Sequence, residues 1–444
     1  MSNHNDFETT EDALALHFAA KYEDQLRYDH SEGSWYEFKD GLWLPDRTER
    51  RVEYARDLAR EAGEALRDAS LTRNLGRIRF AKAVLEGAKA DKRLAITMES
   101  WNKAPLMLGV PGGVVNLRDG VIQPPNPLDF ISQQTSIRPN FERQCPIWMR
   151  FLGEVTGGDD ELVKYLQRLA GYCLTGDTKE QKLHFLYGDG GNGKSIFIKV
   201  LSECLGSYAQ TAAMDTFTAT KTERHSTELA MLAKARLVTA SETDNGRSWN
   251  EARIKEMTGG DKVTARFMRQ DFFTFEPRFK ILISGNYKPQ LGSVTDAMKR
   301  RLVIINFNYK PEVADADLPE KLKTEYPAIL AWMILGAVEW CNSGLCPPKA
   351  VTMASNDYLA SEDVFGEWLE ECCELSPERD DVCARSGNLW DSWKKHAEKQ
   401  RHPVGSSQEF VRQLSRHKIE RYRRNTGRFF RGIKLRLPPT ETAE

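Results

Sequence analysis

Among its 444 residues this chain has no apolar run of about 18, the length a membrane-spanning helix needs. It opens on MSNHNDFETTED, polar and acidic, which does not read as a signal peptide. No membrane partner is expected, and the expected location is cytoplasmic. The eight cysteines (145, 173, 204, 341, 346, 372, 373 and 383) contain no CxxC pair, and the eight histidines complete no zinc pattern with them. Isolated reduced thiols are expected, not a disulfide scaffold or a structural zinc. Charge of one sign is missing too: 63 Lys+Arg stand against 64 Asp+Glu, a net of -1. That balance argues against a protein that coats nucleic acid by bulk basicity. Internal repeats and low-complexity tracts are absent, so solenoid and disordered architectures drop out.

What remains is a globular composition, 40% hydrophobic and 29% charged, long enough for two to four domains of about 150 residues. Three regions are expected: 1–140, 141–345 and 346–444. The first carries two hairpin signals, Asp40-Gly41 within GSWYEFKDGLWLPD and Asp119-Gly120 within GGVVNLRDGVIQPP. Between them Val52, Ala55, Leu58, Ala62 and Leu66 recur at helical spacing. An α+β unit follows. Trp35, Tyr36 and Trp43 are read as its core, the other option being a base-stacking surface. The proline-rich stretch from Gln123 to Pro139 reads as a linker or extended arm. The second region alternates short apolar strands with helices and predicts an α/β sheet.

Within that region Gly188, Asp189, Gly190, Gly191, Asn192, Gly193, Lys194 and Ser195 form a complete GxxxxGK[ST]. The run follows the apolar strand LHFLY and opens a helix, the context in which such a loop curls its backbone N–H groups around phosphates. The reading is a nucleoside triphosphate site, with Lys194 on the β/γ-phosphates and the Ser195 hydroxyl on Mg²⁺. Downstream, RLVTASE ends a buried strand in Glu242, a candidate for polarising the attacking water and sharing the metal. FKILISGN ends a second strand in Asn286, whose amide could sense the γ-phosphate. Arg300 and Arg301 precede a third strand and suit an arginine finger reaching a neighbouring subunit's nucleotide. Between these strands a helix stopped by Gly259-Gly260 leads to a hairpin on which Lys262, Arg266 and Arg269 alternate with Phe267, Phe272, Phe273 and Phe275. The basic residues are candidates for gripping DNA phosphates; the aromatics are read mainly as packing.

This order of parts resembles superfamily-3 helicases, specifically the helicase half of poxvirus- and phage/plasmid-type primase–helicases. GDGGNGKS, RLVTASET, IKEMTGGDKVTARFMRQDFF and KILISGNYKP follow one another within 92 residues, and DAMKRRLVIINF stands where that family carries its finger. WYEFKDGLWLPD and VPGGVVNLRDGVIQPP look like the domain before the motor in the same family. The resemblance implies an AAA+-like P-loop core, a hexameric homo-oligomeric ring with ATP sites shared between subunits, and 3′→5′ translocation on single-stranded DNA at a fork. It also implies a phage or mobile-element setting, hence a host cell's cytoplasm. Two departures stand out. Ser241, not a second carboxylate, precedes Glu242, and the N-terminal region is too short to hold a primase as well, so a separate primase partner is expected.

The near-zero charge hides segregation. Ser361 to Asp380 carries eight acids and one base, while Ser415 to Leu437 carries nine bases and one acid. Helices ahead of a basic hairpin, with a turn at Asn425–Gly427, suggest a winged-helix-like DNA-binding domain. Its candidate contacts are Arg421, Arg423, Arg424, Arg428 and Arg431. The expected function is an ATP-dependent DNA helicase. The alternatives are an origin-binding ATPase that melts DNA without processive unwinding, and a nucleotide-gated assembly scaffold.

Overall fold

The computed structural model describes residues 9–436 except 67, 220–225, 243–246, 267–270, 293, 312–314, 377–378, 380–381, 401, 403 and 425–426. Asp40 and Gly41 both take positive φ, 53° and 84°, the turn whose twist matches that of the flanking strands. They join Ser34–Lys39 to Leu42–Pro45 in antiparallel register, in a four-stranded sheet completed by Leu26–Asp29 and Ala95–Ile96. Helices Glu11–Lys21, Arg50–Leu66 and Ile78–Ala88 pack around a core that includes Leu14, Phe18, Leu58 and Val84. Trp35, Tyr36 and Trp43 are buried, so none offers a face to a base. Trp101 packs against Tyr36 and Trp43, its indole N–H donating 2.8 Å to buried Asp29.

The second hairpin pairs Gly113–Asn116 with Ile122–Gln123 and gains a third strand, Met107–Val110, that no alternating pattern announces. The proline-rich stretch is an arm laid along the protein. Its backbone closes Trp43 N–H to Ile131 O at 2.9 Å, Thr135 N–H to Gly109 O at 3.0 Å and Ser136 N–H to Cys204 O at 3.2 Å. Prolines deny a segment its own ladder, so its remaining polar groups bond to whatever they lie against.

Five parallel strands form the central sheet, in the order Leu302–Asn306, Leu183–Tyr187, Lys280–Gly285, Leu237–Glu242, Ala209–Thr211. The three inner strands and Leu302–Asn306 are buried almost throughout and read as mainly apolar runs instead of alternating ones, while the edge strand Ala209–Thr211 is partly exposed. Because all five are parallel, Tyr187, Asn306, Gly285 and Glu242 emerge at the same end. Helix Tyr326–Ser343, apolar nearly all round, crosses helix Asp160–Leu174 at Gly171 and Gly336. A Cβ on Gly171 would lie 2.0 Å from Ala337 N, and one on Gly336 2.1 Å from Gln167 O, so only glycines allow this approach. Helix Pro146–Val155 starts on the carboxylate of buried Glu325, which accepts from Ile147 N at 3.1 Å and Trp148 N at 2.9 Å.

At the other end of the strands two cations are buried without carboxylate partners. Arg236 donates to Leu174 O and Met107 O, each at 2.6 Å. Lys280 donates to Thr175 O and, at 3.4 Å, to Asp177 O. Both sit at the C-terminus of helix Asp160–Leu174, where the helix dipole and orphan carbonyls favour positive charge.

Helix Lys349–Ser361 packs on the central sheet: Ser355 Oγ accepts from Ile304 N at 2.9 Å, and Tyr358 accepts 2.9 Å from Trp249. Beyond it, helices Val364–Cys372, Ser386–Lys399 and Ser407–Arg416 enclose a separate core of Phe365, Trp368, Leu389, Trp393, Phe410, Leu414 and Phe430. An antiparallel sheet orders Cys383–Arg385, Gly427–Arg431 and Arg421–Arg424, and Cys373–Leu375 pairs with Ile433–Leu435. The expected turn at Asn425–Gly427 falls, but for Gly427, outside the described residues. No described helix is long and apolar enough to cross a membrane, and all eight cysteines are free.

Candidate functional site

The strand Leu183–Tyr187 delivers the chain into a loop of glycines with φ of 152° at Gly188, 81° at Gly191 and 86° at Gly193, backbone that other residues adopt only under strain. Packing tightens the requirement. A Cβ on Gly193 would lie 2.6 Å from Val155 Cγ1, and one on Gly188 2.3 Å from Phe307 O. Asn192 Nδ2 donates to Phe307 O at 2.5 Å, tying the loop to the strand beside it. Helix Lys194–Leu205 then starts with no side-chain cap on its first N–H groups, which leaves them to serve a ligand.

Lys194 is only 5% exposed. Its Nζ donates to Gly188 O at 2.6 Å, Asp189 O at 3.0 Å, Asn192 Oδ1 at 2.8 Å and Asn286 Oδ1 at 3.1 Å. Neutral oxygens alone hold this ammonium, and burial lowers its pKa. A phosphate would be a stronger partner than any of the four. The bond to Asn286 links the loop to the strand Lys280–Gly285, which lies between the loop strand and the strand ending in Glu242.

Glu242 is buried at the tip of its strand, opposite Gly285 in the register. Gly285 makes room for it: a Cβ there would come within 2.9 Å of Glu242 Cβ. The Glu242 carboxylate lies 3.7 Å from Arg247 Nε, and Arg247 also pairs with Asp215. Gly190–Ser195, Ser241, Glu242, Ser284 and Asn286 line one cleft of about 500 Å³. Apolar and aromatic side chains, Phe151, Val155, Tyr309 and Leu318, line the rest of it together with Glu154 and Asp315, Phe151 and Val155 lying against Gly193. A polar, glycine-rich floor beside apolar and aromatic side chains suits a ligand with a phosphate chain at one end and a flat ring at the other. Ser195 and Glu242 supply one hydroxyl and one carboxylate to the floor. This modest set fits Mg²⁺, which keeps several waters and draws other ligands from phosphates.

The twin arginines separate. Arg301 is 5% exposed, with Nε on Thr258 Oγ1 at 3.0 Å and Nη1 on Ala297 O at 2.9 Å, and burial lowers its pKa. Arg300 is exposed. Both lie before Leu302, at the strand end away from the glycine loop, because Leu302 aligns with Leu183 and Asn306 with Tyr187. Five residues at about 3.3 Å each put them some 16 Å from the chain's own cleft. The hairpin Val263–Ala265 with Phe273–Phe275 occupies the same far end. Lys262 borders a cavity there with Glu99, Lys234 and Arg278, and exposed Arg266 stacks 4.8 Å over Phe272. Phe275 is buried as core, but Phe272 is 62% exposed, against its reading as packing. Arg269 and Phe267 lie outside the described residues.

Arg421, Arg423, Arg424, Arg428 and Arg431 are all exposed on the C-terminal sheet. Sequence reasoning passed over Arg247, Tyr309 and Phe151. Arg247 stands five residues past Glu242 in a polar stretch with no pattern, and the aromatics reach the cleft from elements far from the glycine loop in the chain.

Comparison with known proteins finds two family matches along the chain. Residues 15–157 match a family described as D5 N terminal like, and residues 186–301 match a family of unknown function, DUF5906. "Putative helicase L207/L206" of Acanthamoeba polyphaga mimivirus is 26% identical over 288 residues, 59% of this chain and 30% of that protein. "Putative helicase 022R" of Frog virus 3 is 22% identical over 290 residues, 60% and 29% of the two chains. "Putative helicase V13" of Sputnik virophage is 28% identical over 171 residues, 34% and 22%. These matches span less than a third of the curated relatives' length. Among solved structures, the apo NrS-1 C-terminal region aligns over 93% of this chain and 96% of its own, at 9% identity and a TM-score of 0.46.

Proposed function

We propose that this chain is the ATP-hydrolysing motor of a replicative DNA helicase of the superfamily-3 type. The observation that carries the proposal is the single cleft that joins Lys194, Ser195, Glu242 and Asn286, brought together from three adjacent strands. The viral relatives named as helicases support the same reading.

In this reading the loop N–H groups and Lys194 bind the β- and γ-phosphates, and the base rests against Tyr309 and Phe151. Glu242 takes a proton from the attacking water, and Asn286, already bonded to Lys194, orients that water against the γ-phosphate. Ser195 and Glu242 would hold Mg²⁺, which would supply charge neutralisation on the phosphates. Arg300 serves as the finger of a neighbouring subunit: it is exposed and lies at the strand end away from its own cleft, so it would act on a neighbour's nucleotide. Arg301 is the internal brace beneath it. Lys262 and Arg266 face DNA in the channel of a homo-oligomer, a hexamer translocating 3′→5′, while the three C-terminal helices and their basic hairpin act as a winged-helix-like DNA-binding domain.

The test is Glu242→Gln. It should keep nucleotide binding and lose steady-state ATP hydrolysis by about 10²–10⁴-fold, the usual contribution of a positioned base. Strand displacement on forked DNA should stop with it. A wild-type chain that hydrolyses ATP but displaces no strand of either polarity would sink the helicase reading in favour of an origin-melting ATPase.

A further inference from the structure

The nine bases from Ser415 to Leu437 do not form one undifferentiated patch, because a strand pair turns alternate residues to opposite faces. Across the pair Arg421–Arg424 and Gly427–Arg431, Tyr422 faces Phe429 and Arg423 faces Arg428. On one face Arg424 and Arg431 lie flat against Tyr422, at 5.2 Å and 4.7 Å from its ring centre, and Arg424 also covers Phe429 at 5.4 Å. These guanidiniums are partly spent on aromatic rings. On the other face Arg421 and Arg428 border an open groove of about 820 Å³, whose far walls are the first turns of helices Ser386–Lys399 and Ser407–Arg416.

Arg385, at the junction of strand Cys383–Arg385 and the first of these helices, completes the rim from the sheet edge, paired opposite Phe429 with its guanidinium 5.8 Å from that ring's centre. Three exposed arginines from three separate strands therefore converge on one concavity. Its other lining side chains are Ser386, Asn388, Ser407 and Gln408, with Trp390, Phe410 and Val411 beneath, and no carboxylate among the described residues lines it. That absence is informative in a domain whose other segment, Ser361 to Asp380, carries eight acids. Of those acids, Glu367 and Glu371 lie about 4 Å from His396, and Glu374 pairs with Lys434 at 3.0 Å.

We propose that this groove grips the sugar–phosphate backbone of double-stranded DNA, with Arg385, Arg421 and Arg428 as phosphate contacts and Gln408 on the exposed first turn of the adjoining helix directed at the duplex. The inference deepens the helicase reading by assigning duplex, not the single strand the motor is proposed to follow, to the C-terminal domain. A duplex suits the groove because its rigid backbone presents phosphates at fixed spacing to rigid elements, whereas a single strand is held better by stacking on exposed aromatics. In this groove Phe410 is buried and Trp390 only partly exposed, packed 5.2 Å against Phe410.

The test uses the full chain without nucleotide, so it does not depend on ATP hydrolysis. Fluorescence anisotropy would follow binding to a blunt DNA duplex, its single strand and a matched RNA duplex across a salt series. The triple variant R385A/R421A/R428A should bind duplex DNA about 10- to 100-fold more weakly at low salt, and its log–log salt slope should shrink by about 3, near one per lost phosphate contact. R385K/R421K/R428K should recover most of that slope, since charge survives the exchange. R424A/R431A should lose several-fold less than the triple alanine variant. All three grooved positions are exposed, so thermal melting should confirm an intact fold.

Unchanged duplex affinity in R385A/R421A/R428A would overturn the proposal. Equal losses in the two alanine variants would also overturn it, in favour of diffuse basicity, as would a loss of single-strand or RNA-duplex binding in R385A/R421A/R428A as large as its loss of duplex DNA. A chain that binds duplex through the groove yet hydrolyses no ATP would refute the motor reading while leaving this one standing.

Discussion

Arg300 and Arg301 are neighbours in sequence, yet the structure predicts opposite consequences for removing them. Arg301→Ala takes away two charge-assisted hydrogen bonds, to Thr258 Oγ1 and Ala297 O, from a site 5% exposed. It unpins the end of helix Glu251–Thr258 from helix Asp296–Lys299. Hydrogen bonds to charged groups contribute about 1.5–3 kcal/mol each, and water entering the vacated space recovers part of that. A net loss of about 2–4 kcal/mol is expected. For a unit the size of the motor this lowers the melting temperature by roughly 5–10 °C. Arg300→Ala removes an exposed side chain and should stay within about 0.5 kcal/mol of wild type. Its effect should appear in turnover: inactive alone, with activity partly restored when mixed with Lys194→Ala subunits, since each mixed interface can then combine an intact loop with an intact finger. Differential scanning calorimetry and ATPase assays on mixed samples read both effects. If Arg301→Ala melted like wild type but abolished turnover, while Arg300→Ala hydrolysed ATP normally, the brace and finger assignments would be reversed and the argument from burial refuted.

Three further outcomes follow from local geometry. Gly193→Ala should weaken binding of a fluorescent ATP analogue by more than about 10-fold, since its Cβ would sit 2.6 Å from Val155 Cγ1 at a φ of 86°. Gly190→Ala, with nothing within 4 Å, should melt like wild type. Burial pushes the Lys280 ammonium down to about 7 from an ordinary 10.5. Between those values the unfolded chain keeps a proton that the folded one has released, so this group makes stability rise with pH from about 7 to 10.5 and contributes no pH dependence below. Lys280→Met should therefore show a flatter melting temperature between pH 7.5 and 9.5; equal slopes would contradict the assignment. Finally, Arg247→Ala should slow ATP hydrolysis several-fold with a smaller effect on nucleotide affinity, because Arg247 Nε lies 3.7 Å from the Glu242 carboxylate and helps hold its position; an unchanged rate would count against its role in positioning that carboxylate.

Signals that were legible in the sequence are those confined to one short stretch. The Asp40-Gly41 turn needs two residues tolerant of positive φ, and the glycine loop needs a strand before it and a helix after it; each is written within about a dozen letters. The parallel sheet was legible as mainly apolar runs, and the helix from Arg50 as a period of three and four. The core role of Trp35, Tyr36 and Trp43 followed from how seldom three large rings stay in water. Met107–Val110 was not legible, being too short to show a period, and the extended arm showed its prolines but not what it lies against.

Spatial relations across the chain had no letters of their own. That Asn286 shares Lys194 with the loop, that Tyr309 walls the cleft, and that Arg247 sits beside Glu242 depend on strand order and on crossovers of tens of residues. The pair Arg300-Arg301 is symmetrical as text and asymmetrical in space, because one falls on the buried side of a helix end and the other does not. The basic hairpin was visible as charge, but its division into a face stacked on Tyr422 and a face open to a groove required the register of two strands. The sequence by itself determined which chemistry the chain carries, since glycine, lysine and arginine patterns are local and backbone-driven. Only the tertiary structure decided which of those groups meet, because burial and proximity are set by packing between segments distant in the chain.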